Sequence, residues 1–423
     1  MKWFKIIVFV KELSIRIRRE CRDRNIHITT TILLCFSMSL FVFILGMYLH
    51  DHVKQYLLSH EDSYFLDLTM LPLPQSSSPY FYVICNSSSL PPSFRPFLLS
   101  IRTRGLRDWT APQDLWHSMT DEELMWRASM VPHIAEYPYN RTPKVAFMFL
   151  SRGRLPLAPL WEKFFKGHQG LYSIYLHASP EFTHEAPQSS IFYKRMIPSK
   201  VRVLAFVVYI IIVVEWGRST MVDAERRLLA NALLDFSNER FALLSESCIP
   251  LFNFTTIYNY LVKSNRSFLG SFDDPRHMGR GRYLSVLQQT DVLSNWRKGN
   301  QWFEIHRKLA IEIVSDVTYY PTGCDNCTPP CYMDEHYLPT FVTKIYPELN
   351  SNRSITWVDW SRGGSHPTMF VNVSIEFLNR IRLGFNCTYN LSTSTNCFLF
   401  RKLDQSTLVP LLRIAPKLLG FDP

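Results

Sequence analysis

Apolar and polar positions along the chain fall into three regimes. From Ile28 to Leu49 there is no charged side chain, and a 22-residue helix at about 1.5 Å per residue would extend about 33 Å, enough to cross a bilayer. From residue 50 to about Thr142 the apolar pattern is broken by Leu71-Pro72-Leu73-Pro74, by the serines before Pro79 and by Pro91-Pro92, so little core is expected there. One ordered stretch stands out near its end. Thr120 with Glu123 has the spacing of a capping box and predicts a helix over residues 122–130.

Beyond Thr142 the periodicity is that of a packed domain. Val145–Leu150 is an apolar run of strand length, Pro159–Phe165 has helical spacing, and Tyr172–His177 again reads as a strand, so a βαβ unit is predicted. A second capping box, Thr220 with Asp223, precedes a helical apolar stripe through Met221, Val222, Leu228, Leu229 and Leu233. Arg240–Leu244 returns to strand character. This alternation predicts an α/β fold with its chemistry at the carboxyl ends of the strands. No internal repeat is visible. Val203–Val214 is almost wholly apolar; counted from Val201 it would make about 21 Å of helix, too short for a second span, and it reads as a buried strand.

Charge then orients the first regime. Residues 1–27 carry eight basic side chains against three acidic ones, half of the chain's net +10. Basic residues ahead of an apolar span stay cytosolic, which predicts a basic tail at 1–27, a signal anchor at 28–49, a lumenal stem at 50–142 and a lumenal domain at 143–423. The +5 left for the remaining 396 residues gives no support to nucleic-acid binding. Hydrophobic residues at 47% exclude a disordered chain.

Two further patterns agree with a lumenal domain. Asn-x-Ser/Thr occurs at Asn86, Asn140, Asn253, Asn265, Asn326, Asn352, Asn372, Asn386 and Asn390, all after the anchor, where roughly two or three would arise by chance. Seven of the nine cysteines also follow the anchor: Cys85, Cys248, Cys324, Cys327, Cys331, Cys387 and Cys397. In an oxidising compartment these predict up to three disulfides and one odd thiol, which would permit a linked homodimer. Cys324, Cys327 and Cys331 lack a second Cys/His pair, so disulfide chemistry is favoured over zinc.

Generic catalytic signatures are absent: the chain has no phosphate-binding Walker loop, no Gly-x-Ser-x-Gly elbow and no His-Glu-x-x-His. Asp-x-Asp, the metal-holding pair of many nucleotide-sugar transferases, is also missing; Asp273-Asp274 is adjacent and reads as a turn cap before Pro275. Six phrases remain. They are residues 146–153 (AFMFLSRG), 222–229 (VDAERRLL), 244–251 (LSESCIPL), 299–303 (GNQWF), 334–337 (DEHY) and 358–364 (VDWSRGG).

In this order the phrases resemble the plant branch of the core-2/I-branching β-1,6-N-acetylglucosaminyltransferase-like family, over about residues 110–420. The resemblance implies a GT-A-like α/β domain behind an N-terminal membrane anchor, in the Golgi, that transfers a sugar from a UDP-sugar to a glycan or glycoprotein with inversion and without a metal or other cofactor. It implies Glu335, in the Asp-Glu pair, as the base that takes the acceptor proton. It also implies fixed cations for the departing diphosphate: Lys402, or Arg401 if the register slips, and Arg353. Glu246, Arg280, Arg282 and Trp302 are further candidates for donor or acceptor contacts; flexible glycine beside guanidinium groups suits anionic or sugar ligands, although a plain basic loop fits Arg280-Gly281-Arg282 as well. The main departure from the family pattern is residues 201–212, which read as an insertion. An inactive member that binds glycans as a scaffold is the alternative reading.

Overall fold

The computed structural model describes residues 105–110, 115, 117–134, 136–197, 201–205, 208–211, 214–283, 293–320, 332–364 and 366–421. The expected tail and anchor, most of the stem, and Cys85, Asn86, Cys324, Asn326, Cys327 and Cys331 lie outside these residues. Among the described residues no helix is long and apolar enough to cross a membrane.

Helix α1 (Asp121–Ser129) starts as its sequence predicts. Thr120 Oγ1 accepts from the Glu123 amide at 3.2 Å and the Glu123 carboxylate accepts from the Thr120 amide at 2.7 Å. Two of the donors that a helix start leaves unpaired are thereby satisfied.

Strand β1 (Lys144–Leu150) is buried at every position because both of its faces are covered. Ala146, Met148 and Leu150 enter one apolar cluster, while Val145, Phe147 and Phe149 enter another. Helix α2 (Ala158–Phe165) carries the chain over to β2 (Tyr172–His177), which lies parallel to β1 and completes the βαβ unit. Trp161, Phe164 and Phe165 of α2 ring Phe147 at centroid distances of 4.9–6.0 Å.

The apolar run near residue 203 behaves differently from its expectation. It forms a separate antiparallel hairpin, β3 (Val201–Ala205) and β4 (Val208–Ile211), which pairs with itself and not with the main sheet. Helix α3 (Ser219–Leu233) follows, without the expected capping box. The helix begins at Ser219, so Thr220 already lies within its first turn. The Thr220 hydroxyl instead accepts from the Glu215 amide at 3.0 Å, and Asp223 accepts a short hydrogen bond from the Tyr320 hydroxyl.

Strand β5 (Asn238–Ser245) takes the other side of β1, again parallel. Next come β6 (Cys248–Pro250) and helix α4 (Phe254–Val262), and then β7 (Glu304–His306), which adds to β5 antiparallel, giving the order β2-β1-β5-β7. A buried ion pair ties the last two strands: Arg240 Nε and Nη2 reach the Glu304 carboxylate at 2.7 and 2.6 Å, with both side chains fully buried. Arg240 also donates to the Ser264 and Arg266 carbonyls, so the charge is fully engaged.

Helices α1, α3, α5 (Arg307–Ser315) and α6 (Met333–Ile345) cover one face of the sheet. The opposite face packs against α2, α4, α7 (Ile375–Leu383) and α8 (Leu408–Leu418) and a small second sheet. In that sheet β11 (Phe400–Lys402) runs between β6, antiparallel, and β8 (Thr356–Trp357), parallel. A short hairpin, β9 (Cys387–Tyr389) and β10 (Ser392–Ser394), is tied by the Cys387–Cys397 disulfide. Cys248 is a fully buried thiol whose pKa burial raises, so it cannot itself link two chains.

Candidate active site

A cavity of about 560 Å³ opens where β1, β2 and β5 end at their carboxyl termini. Ser151 and Arg152 follow β1, His177 and Ser179 come from the end of β2, and Ser245 and Glu246 from the end of β5. Parallel strands present their C-terminal loops on one edge of the sheet, which is why ligands of α/β folds gather there. Asn300, Gln301, Trp302, Glu335, Trp360, His366 and Lys402 complete the lining that concerns the chemistry.

Glu335 sits in the first turn of α6, where the helix dipole favours an anion. Its Oε2 is in a close ion pair with Lys298 Nζ and lies 3.1 Å from Arg282 Nη1. The Arg282 guanidinium stacks 3.6 Å over the ring of Tyr332, the residue before the helix. Tyr332 is left-handed, with φ 51°, and its amide donates to the Gly217 carbonyl at 2.8 Å while its ring meets Trp216 at 5.0 Å. From the other side the Gly299 amide donates to the Glu335 carbonyl at 2.8 Å. Gly299 has no room for a side chain, since a Cβ would stand 2.0 Å from the Gly270 carbonyl oxygen.

Two further carboxyls lie next to Glu335 in the interior. Asp334 is 3% exposed, and neither of its oxygens has a hydrogen-bond partner. Burial, and then the charge of Glu335, push its pKa up to about 7. Glu225 of α3 is equally buried and accepts from Gln301 Nε2 at 3.0 Å. Burial and the charge of Asp334 hold it well above the usual carboxylate range. Removing these groups from water disfavours their ionised forms.

Like the exposed Arg152, Lys402 lines the cavity. Its Nζ lies 4.3 Å over the Trp302 ring, and among the described residues it makes no ion pair or hydrogen bond. Burial lowers its pKa, against the opposing influence of Cys248 and Glu246. Alternation along β11 sends Arg401 to the other face. There it is fully buried among Trp357, Phe370 and Phe377 at 4.6, 4.8 and 4.4 Å, burial bringing its pKa down to about 9.

The remaining expected residues divide. Glu246 and Trp302 line the cavity, and Arg282 reaches it through Glu335. Arg280 forms an exposed ion pair with Asp273 and does not line the cavity. Arg353 donates to the Cys397 carbonyl at 2.8 Å and to the Tyr260 hydroxyl; it lines a second cavity, of about 380 Å³. The second cavity shares Asn300, Val358 and Trp360 with the first. Asp274 caps its turn as expected, accepting from the Arg276 amide at 3.0 Å. Among the described residues no three His, Cys, Asp or Glu side chains are grouped to hold a metal ion.

Two residues of the site went unmarked in the sequence. Lys298 stands just before the 299–303 phrase, with nothing in its own spacing to single it out. His177 ended a predicted strand without being read as chemistry. It is 1% exposed, and its Nε2 accepts from Arg227 Nη1 at 2.9 Å while Arg227 is held bidentately by Asp121 at 2.9 Å. Burial and then the Arg227 charge lower its pKa to about 3, so the ring is neutral with its proton on Nδ1. Of the described sequon asparagines, Asn140, Asn265, Asn352, Asn372, Asn386 and Asn390 are exposed, while Asn253 is half-buried and caps α4 through its side chain.

The family model described as Core-2/I-Branching enzyme matches residues 145–382, more than half of the chain. A rice protein (Oryza sativa subsp. japonica) named Glycosyltransferase BC10 is 34% identical over 262 residues, covering 54% of this chain and 62% of that protein. The chain thus spans less than two thirds of the length of the curated relative it matches.

Proposed function

This chain belongs to the core-2/I-branching enzyme family, and from that premise we propose that it is an inverting glycosyltransferase with a GT-A-like domain. The donor is a UDP-sugar, with N-acetylglucosamine as the sugar, and the acceptor is a hydroxyl of a glycan or glycoprotein. Residues 28–49 anchor it in the Golgi membrane with the domain in the lumen. No metal is required, since the chain lacks Asp-x-Asp and supplies a fixed cation instead.

The observation that carries the reading is one cavity holding both a carboxylate, Glu335, and a cation, Lys402, that makes no ion pair among the described residues. Glu335 accepts the acceptor proton as that oxygen attacks the anomeric carbon. The bond from the anomeric carbon to the diphosphate oxygen breaks, and Lys402 stabilises the charge that develops on UDP. In a site with little water such a charge interaction is stronger than in bulk solvent. Lys298 and Arg282 fix the orientation of Glu335.

The test is UDP-sugar turnover by the full-length protein with EDTA present, wild type beside Glu335→Gln. Turnover that survives EDTA and falls about 10²- to 10⁴-fold in the variant is expected. The two cations on Glu335 favour a second reading, because they occupy the carboxylate oxygen that an acceptor hydroxyl would have to reach. A scaffold that only binds glycans would show UDP affinity without turnover.

A further inference from the structure

The second cavity has no part in the chemistry above. It is lined by Asn300, Arg353, Ser354, Trp357, Trp360 and Phe385, among others, and it joins the first through Asn300, Val358 and Trp360. Its make-up is that of a carbohydrate site: several aromatic rings with a few amide, hydroxyl and guanidinium groups between them. A pyranose ring has an apolar C–H face that lies on an aromatic ring and an edge of hydroxyls that seeks such partners. Trp360 and Phe385 are 43% and 42% exposed, so both rings are accessible to a ligand. Phe385 is braced edge-to-face by Phe398 at 5.2 Å, and the disulfide-linked Cys387 and Cys397 line the same cavity.

We propose that the second cavity is an acceptor subsite, holding the sugar units that lie beyond the one that reacts. This rests on the glycosyltransferase reading of the first cavity. Trp360, shared by both cavities, is where the acceptor chain would pass from the subsite toward Glu335. The enzyme would accordingly prefer oligosaccharides over short acceptors. Asn386, a sequon residue, also lines the second cavity, so one rival occupant is the protein's own glycan at that position.

The experiment uses purified full-length protein on an immobilised array of oligosaccharides graded from disaccharide to hexasaccharide, with UDP binding followed in parallel by calorimetry. Wild type should bind the longer members more tightly, and Phe385→Ala should reduce the long-to-short ratio roughly tenfold. Thr388→Ala, which removes the sequon but keeps Asn386, should leave that ratio as in wild type. UDP binding with an unchanged ratio in Phe385→Ala overturns the subsite and spares the first cavity. A length preference that emerges only in Thr388→Ala assigns the cavity to the protein's own glycan and overturns the proposal. Absence of UDP binding in wild type overturns the reading of the first cavity, and the subsite with it.

Discussion

Replacing Asp334 by asparagine should make the protein more stable at neutral pH than it was, and less sensitive to pH. The native carboxyl keeps its proton up to about pH 7, whereas in the unfolded chain it would lose it near 3.8. Between those values the folded state holds a proton that the unfolded state releases, so stability falls as pH rises. The contribution is complete below about pH 4 and gone above about pH 7. A difference of about three pKa units at about 1.4 kcal/mol each amounts to about 4 kcal/mol across the window. Asparagine has nearly the same shape and no charge, so the variant lacks this slope. Its stability relative to wild type should climb with pH by an amount approaching that figure. Glu225 remains in both proteins, although it loses a like charge in the variant and its own slope becomes shallower. Urea unfolding followed by circular dichroism, from about pH 4 to about pH 8, measures the difference directly. Parallel pH profiles for the two proteins would refute the buried-proton account.

Other predictions follow from single contacts. Lys402→Met should weaken UDP binding about ten- to hundredfold, as for loss of a charged hydrogen-bond donor, and calorimetry giving equal affinity would remove Lys402 from the diphosphate. Gly299→Ala forces a methyl group against the Gly270 carbonyl and Pro339, which should cost about 1–3 kcal/mol and depress turnover by shifting Glu335; an unchanged melting temperature would contradict the close approach. Arg240→Met strands Glu304 in the core and should cost about 3–5 kcal/mol, much of it recovered by adding Glu304→Gln; a double variant no better than the single one would show that the pair's packing matters more than its charge.

The parts of the fold that could be read from the chain are those in which a pattern has one structural solution. A fully apolar run beside a helix-spaced segment makes β1, α2 and β2, since burial on both faces leaves no other use for Val145–Leu150. The Thr120 box is local and needs no tertiary partner. Thr220 and Asp223 have the same spacing, but the nearby Glu215 amide takes the Thr220 hydroxyl and Tyr320, remote in sequence, takes Asp223. The run at 201–212 has strand composition, but composition does not say that its partner is itself. At the site, Lys402 and Arg401 are adjacent basic residues that strand alternation places on opposite faces. Arg353 illustrates the converse, a basic residue beside the right strand whose guanidinium is occupied by Cys397 and Tyr260.

The left-handed Tyr332 ties the start of α6 to Gly217 and Trp216, only a few residues beyond the β3–β4 hairpin. Tyr332 also carries Arg282, and Arg282 carries Glu335, so the hairpin's exit and the carboxylate are mechanically linked. Change in the hairpin is therefore not silent loop variation. If Glu335 is the base proposed above, a longer or shorter hairpin would shift its aim through these contacts, giving evolution, or an engineer, a dial for reaction rate set outside the cavity itself.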